Sequence, residues 1–259
     1  MSCTQPPEFP DNIYAGSSLK TVEGNPLFCG GSYLHYLECH EYLPESQTWI
    51  PGPPLLGYRR YSASVPLYND SYWILSSDQT ADYFTSEIFV DDHFVPGPLL
   101  PEEGFVYTPC AAQVTEDQTF YGNDIAYIYS ATSGQFIPTE EPIPFTAQQA
   151  SCGAATLPGA ERVVVVAGGK DSPSLSHIYH VADGVWRDGP PMPQPLTLGT
   201  VVQMQDFFQI LGGYNGTDYT DMIIEFDPLS MSWIEKEQKL SHGKHLFFAT
   251  GVDKSKFCS

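Results

Sequence analysis

The side chains in this sequence with the most chemistry to offer are its histidines and cysteines, and their spacing decides what they can do. His177 and His180 stand in a stretch, His177-Ile178-Tyr179-His180-Val181, that alternates as a strand does. Residues three apart in a regular strand point to opposite faces, so this pair cannot share a metal ion and reads as edge or packing histidines. His35, His40, His93, His242 and His245 are scattered without ligand spacing. Cys3, Cys29, Cys39, Cys110, Cys152 and Cys258 include neither a C-x-x-C pair nor a zinc spacing. An even count permits disulfides, but six cysteines in 259 residues are sparse. Buried free thiols are the favoured expectation, weighed on redox compartment.

Other catalytic signatures are missing. No H-E-x-x-H, G-x-S-x-G or EF-hand loop occurs. Gly168-Gly169-Lys170-Asp171 resembles a phosphate loop in part, yet Val164 stands where its first glycine is required and Asp171 where a hydroxyl is required. The expectation is a protein with no catalytic residues, metal or cofactor.

Charge and hydropathy narrow the partners. Eleven basic against 31 acidic residues give a formal charge of −20, which repels a phosphate backbone and excludes nucleic acid as a natural partner. Acidic pairs at Asp91-Asp92, Glu102-Glu103 and Glu140-Glu141 read as solvated loop charges, or more sharply as an acidic rim that favours basic partners. The longest obvious apolar run, Val163 to Ala167, falls far short of the ~18 residues of a membrane span, so membrane insertion is not expected. Met1 to Lys20 has neither a basic n-region nor an apolar h-region, which favours the cytoplasm, with an extracellular protein as the alternative if the chain is a fragment. Asn69-Asp70-Ser71 and Asn215-Gly216-Thr217 then read as incidental turn residues that happen to form sequons.

The elements that would position any site follow from self-similarity. With 22 glycines and 23 prolines against 16% charged residues, the chain has many turns and few exposed helices. Trp49-Ile50-Pro51-Gly52-Pro53, Phe94-Val95-Pro96-Gly97-Pro98 and Trp186-Arg187-Asp188-Gly189-Pro190 share an aromatic followed three residues later by Gly-Pro, with weaker copies at Phe136-Ile137-Pro138 and Trp233-Ile234. Apolar runs closed by small residues lie upstream, at Gly30-Gly31, Ser76-Ser77, Gly122-Asn123, Gly168-Gly169 and Gly212-Gly213. Positions 31, 77, 122, 169 and 213 step by 46, 45, 47 and 44, a period that dictates a repeat architecture. Each unit reads as four short strands without a 3.6-residue period, hence one antiparallel blade, and blades repeated make a β-propeller.

The glycine pair, an aromatic or acidic third strand (Glu41-Tyr42, Tyr179, Glu225-Phe226-Asp227) and Trp with a proline exit together resemble the kelch repeat. The resemblance covers residues 12 to 252. It is strong in units one, four and five, and weaker in two and three, where Ser76-Ser77 and Gly122-Asn123 replace the double glycine and Phe94 and Phe136 replace Trp. The expected fold is all-β: a kelch-type β-propeller of five four-stranded blades, about 12–55, 58–101, 105–144, 149–193 and 197–240. An extension, 1–11, precedes them, and an extra strand, 243–252, follows. Markers of the first strand recur near Gly16, Ser62, Thr108, Ala154 and Gly199, which puts the next near His245-Leu246-Phe247-Phe248-Ala249-Thr250. That strand either closes a five-bladed ring or begins an incomplete sixth blade.

The resemblance implies a scaffold or substrate-recruiting module that binds a protein or peptide through loops at one end. The glycine pairs open the loops that would carry Tyr33, Tyr83, Phe84, Lys170, Tyr214 and Tyr219; loops leading into the next blade add Arg59, Arg60, Lys244 and His245. Arg59 or Arg60 also fits the arginine that often opens a kelch first strand. Kelch adaptors of ubiquitin ligases imply a recruiting role, though their BTB and BACK helical regions have no counterpart in these residues. The rival is a kelch-propeller enzyme, a metal oxidase, mutarotase or lyase; an oxidase resembling galactose oxidase would need two Tyr, two His and a Tyr-linked Cys, a set that no local spacing here recovers.

Overall fold

A computed structural model of the chain describes residues 7, 9, 15–31, 36–67, 71–75, 84–101, 109–122, 125–145 and 147–251. It is all-β, with five four-stranded antiparallel sheets, each meandering in chain order, and it has the fold of a five-bladed β-propeller. The first blade holds β1 (Ser17–Lys20), β2 (Pro26–Cys29), β3 (Cys39–Leu43) and β4 (Thr48–Pro51), and the second β5 (Ala63–Pro66), β6 (Tyr72–Leu75), β7 (Ser86–Val90) and β8 (His93–Pro96). The third holds β9 (Cys110–Gln113), β10 (Gln118–Gly122), β11 (Ala126–Ser130) and β12 (Gln135–Pro138). The fourth is β13 (Ser151–Leu157), β14 (Glu161–Ala167), β15 (Ser176–His180) and β16 (Val185–Asp188), and the fifth β17 (Thr200–Gln203), β18 (Phe208–Leu211), β19 (Ile223–Asp227) and β20 (Ser232–Glu235). Every strand falls inside the blade limits expected from the repeat.

The chain forms two compact units. One comprises Met1–Leu99 with Phe247–Ser259, the other Leu100–Leu246. Within the first, Leu19, Leu27, Cys29, Tyr72, Ile74 and Phe89 fill the space between the first two sheets. Within the second, one cluster around Val164, Val166, Phe120 and Tyr179 joins the third and fourth blades, and another around Val163, Val165, Phe208 and Phe226 joins the fourth and fifth. Alternate valines of β14 therefore serve two different cores, which is why this strand is a continuous apolar run.

The repeat residues now have physical roles. The outer-strand aromatic is the cross-strand partner of an aromatic on the third strand in all five blades: Tyr42 with Trp49, Phe89 with Phe94, Tyr129 with Phe136, Tyr179 with Trp186 and Phe226 with Trp233. Their ring centroids lie 4.9 to 5.3 Å apart, a packing worth about 0.5–1.5 kcal/mol per pair beyond area burial. The glycine of each Gly-Pro exit turns back onto the start of the third strand: the N–H groups of Gly52, Gly97 and Gly189 donate to the carbonyls of Cys39, Ser86 and Ser176. The glycine pairs admit a neighbouring backbone. Gly31, Gly169 and Gly213 N–H donate to the carbonyls of Arg59, Leu196 and Lys244 in the segment that follows each blade, at 2.7, 3.0 and 2.7 Å. The first glycine of two of these pairs has φ near +69° at Gly30 and +68° at Gly168, and a Cβ there would sit 2.1 Å from the same Arg59 or Leu196 oxygen. Gly122 is different: it ends β10 as a strand residue, where a Cβ would strike the Phe120 ring.

Two expectations are corrected. The cysteines described are not free thiols: Cys29 and Cys39 form a disulfide, as do Cys110 and Cys152. Cys29 and Cys39 are register partners on β2 and β3, with Cα atoms 4.1 Å apart. Cys110 and Cys152 sit on the first strands of consecutive blades, so one repeat period brings together residues 42 apart in sequence. Cys3 and Cys258 lie outside the described residues. The second correction concerns 243–252. None of 243–251 is strand; instead Leu246 N–H donates to Leu198 O, while in the other unit Phe248 stacks on Phe28 at 4.8 Å and Ala249 N–H donates to Ser18 Oγ. The segment is held by side-chain packing and single hydrogen bonds rather than by a sheet ladder.

Candidate functional site

Local backbone pairing builds an aromatic cluster at the end of the fifth blade. After Gly212-Gly213 the chain forms a tight excursion in which Tyr214 bridges both Thr197 and Tyr219. Asn215 Oδ1 accepts from the Thr217 and Asp218 N–H groups at 2.9 and 2.8 Å, and Tyr214 Oη donates to Gly216 O. Asn215 thus closes the turn as an Asx residue does. Thr220 N–H returns to Gly213 O, and Lys244 N–H docks on Thr220 O. That docking carries His245 onto Tyr219, their rings stacked 4.1 Å apart at 4°, with Tyr214 at 5.7 Å from Tyr219.

Tyr219 is 54% exposed despite this packing. Burial of the His245 imidazole pulls its pKa below the usual histidine value, so near neutral pH the ring is uncharged and the stack is aromatic on aromatic. A planar, rigid, half-exposed surface with Lys244 beside it suits a peptide side chain laid flat. Tyrosine on such a surface loses little rotamer entropy on binding.

The structure brings only part of the expected loop set together. Tyr214, Tyr219 and His245 form the cluster, and Lys244 docks beside it through its main chain. Lys170 is exposed on the corresponding loop of the fourth blade, where its N–H donates to Gln148 O. Phe84 is half-buried, and Tyr33 and Tyr83 lie outside the described residues. Arg59 and Arg60 are not surface cations, being 1% and 5% exposed. Arg59 Nε lies 2.9 Å from Glu87 Oε1, its guanidinium also donates to Tyr58 O and Thr85 Oγ1, and Glu87 additionally accepts the Leu56 and Gly57 N–H groups. The pair pins the passage from the first blade to the second.

The histidines of β15 are packing residues. His180 Nδ1 is 2.6 Å from Glu161 Oε1, and His177 stacks on Phe145 at 4.2 Å with burial lowering its pKa. Among the described residues no group of three or more His, Cys, Asp or Glu is placed to hold a metal ion. No helix is long and apolar enough to cross a membrane among those residues.

A pocket of about 480 Å³ in the same unit had no counterpart in the sequence reading. Thr156 and Ala160, Asp206 and Phe207, and Glu225 to Leu229 line it. Its carboxylates are already engaged: Asp206 by Thr156, Glu225 by Gln209 and Lys236, Asp227 by Ser230 and the Leu229 N–H. Three separate turns supply its walls, so no local spacing could have announced it.

No protein-family model matches the chain, and no curated protein matches it. Among solved structures it is similar to YjhT, with a TM-score of 0.64 at 11% identity over 90% of this chain and 99% of that one. At that identity the likeness shows the propeller fold alone.

Proposed function

We propose that the chain is a kelch-type propeller that works by binding a basic peptide or protein segment, without catalysis of its own, through the Tyr214, Tyr219, Lys244 and His245 surface. The observation that carries the reading is Tyr219, more than half exposed yet fixed by a face-to-face stack on His245. Rigid aromatic anchors are the side chains most enriched among residues that dominate binding energy. The formal charge of −20 favours encounter with a cationic segment and disfavours an acidic one.

Selection from a random peptide display library tests this. The wild-type chain is expected to enrich sequences carrying Lys or Arg, and the Tyr214→Ala, Tyr219→Ala double variant to lose that enrichment while melting within a few degrees of wild type. Equal enrichment by both proteins, or enrichment of acidic peptides, overturns the assignment.

A further inference from the structure

We infer that Asn215 carries an N-linked glycan and that the chain matures in an oxidising secretory compartment. Two independent observations meet here. The first is redox: Cys29–Cys39, register partners on β2 and β3, and Cys110–Cys152, on the first strands of consecutive blades, are both disulfides. Disulfides of this kind form and persist where the compartment is oxidising and are rare where glutathione keeps thiols reduced.

The second observation is the acceptor itself. Asn215-Gly216-Thr217 is a sequon with Gly, not Pro, at its centre. Gly216, Thr217 and Asp218 are exposed, and no atom lies within 4 Å of where a Cβ on Gly216 would be. Both hydrogen bonds of the Asn215 side chain use Oδ1, and the turn's other bonds, from Asn215 N–H to Asp218 O and from Tyr214 Oη to Gly216 O, do not involve Nδ2. A glycan attached at Nδ2 keeps the side-chain carbonyl as an acceptor, so the turn that presents Tyr214 and Tyr219 survives the modification.

The step is a glycosyl transfer. The bond from the Asn215 Nδ2 to the anomeric carbon of a lipid diphosphate-linked oligosaccharide forms as the bond from that carbon to the diphosphate oxygen breaks. Nδ2 gives up one proton and the lipid diphosphate departs; nothing is oxidised or reduced. The Thr217 hydroxyl is the sequon element that the transferase of the secretory pathway requires. The other sequon, at Asn69, lies outside the described residues.

The test is peptide mapping of the full chain, expressed behind a cleavable leader in a eukaryotic cell and digested without reduction. Two disulfide-linked peptide pairs, 29 with 39 and 110 with 152, are expected, together with a peptide spanning residue 215 whose mass carries hexose and N-acetylhexosamine. Peptide N-glycosidase in heavy-oxygen water should leave a heavy aspartate at that position. Asn215→Gln and Thr217→Ala should abolish the glycopeptide, and Thr217→Ser, which keeps the hydroxyl and fold, should retain it. An unmodified residue 215, in protein from cell or medium, overturns the assignment, as does recovery of the four cysteines as free thiols. Peptide selection by the glycan-free Thr217→Ala variant, which keeps the Asn215 Oδ1 turn, separates this failure from failure of the binding surface.

Discussion

Removing the Glu87 carboxylate should unfold the first compact unit more readily than removing any surface charge. Glu87 and Arg59 are each 1% exposed, and the carboxylate forms an ion pair with the guanidinium, Nε to Oε1 at 2.9 Å, and accepts Leu56 N–H at 2.8 Å and Gly57 N–H at 2.9 Å. Glu87→Ala leaves a buried cation facing an apolar side chain, which typically costs about 3–5 kcal/mol. The two freed N–H groups add to that, less whatever water recovers, since Leu56 is 54% exposed. If one stays unsatisfied at about 1 kcal/mol, the total is about 4–6 kcal/mol. Arg59→Met should cost less, because the stranded carboxylate keeps its two backbone donors. The double variant Arg59→Met, Glu87→Met places apolar groups of similar length on both sides and should cost less than the sum of Glu87→Met and Arg59→Met measured singly, by about 2 kcal/mol or more.

Hydrogen exchange under increasing urea, read at the amides of β5 to β8, reports on this unit without averaging over the other. Peptide selection by Arg59→Met should match wild type, because Arg59 is a clamp and not a contact residue. A Glu87→Ala protein within about 1 kcal/mol of wild type, or single costs that add to the double within about 0.5 kcal/mol, would refute the clamp.

Two further outcomes follow from the same physics. The chain-entropy relation gives about 4 kcal/mol for the Cys110–Cys152 crosslink, whose residues are 42 apart, and about 2.7 kcal/mol for Cys29–Cys39, separated by 10. Cys110→Ala, Cys152→Ala should therefore destabilise its unit by about 1.3 kcal/mol more than Cys29→Ala, Cys39→Ala does its own, measured by urea unfolding; the reverse order would contradict this account. For acid, burial lowers the pKa of both His177 and His245, so between their folded values and the ordinary 6.5 the unfolded chain binds more protons. Stability of the second unit should be full above about pH 6.5, fall on acidification through that value, and level off below the folded pKa values. Asp117 and Asp227, also lowered, act only beneath their ordinary value of 3.8 and do not confuse the window. His245→Phe, which can keep the stack, should flatten the decline, and an unchanged slope in urea midpoints across that range would count against it.

Blade number and strand limits were legible in the sequence because the constraints that set them recur. Every blade needs an aromatic on its outer strand to meet one on its third, and most need a backbone-only residue where the following segment crosses. The disulfides were not legible, since one pairs residues a full repeat apart and the other depends on strand register. Arg59 could not be distinguished from Lys244 by type or spacing. What separates them is Glu87, 28 residues downstream, whose carboxylate takes Arg59 into the interior. Tyr33 and Tyr83, the counterparts in the first two blades of the Tyr214 and Tyr219 loop, fall outside the described residues, while the equivalent loop of the fourth blade carries Lys170 exposed and no aromatic pair.

The way neighbouring segments are joined explains this uneven legibility. Arg59, Leu196 and Lys244 hold equivalent places, each giving its main-chain carbonyl to the second glycine of a pair, at 2.7, 3.0 and 2.7 Å. A carbonyl is common to all residues, so the fold constrains the glycine and leaves the side chain opposite it unconstrained. One such position has become a buried clamp, one an apolar core residue in Leu196, 4% exposed, and one a cation beside an exposed tyrosine stack. A repeat held by backbone bonds advertises its glycines and hides its function in the residues it does not restrict. Function in this chain therefore has to be read from where the blades differ, and the excursion from Tyr214 to Tyr219, with its sequon and its stack on His245, is one such place.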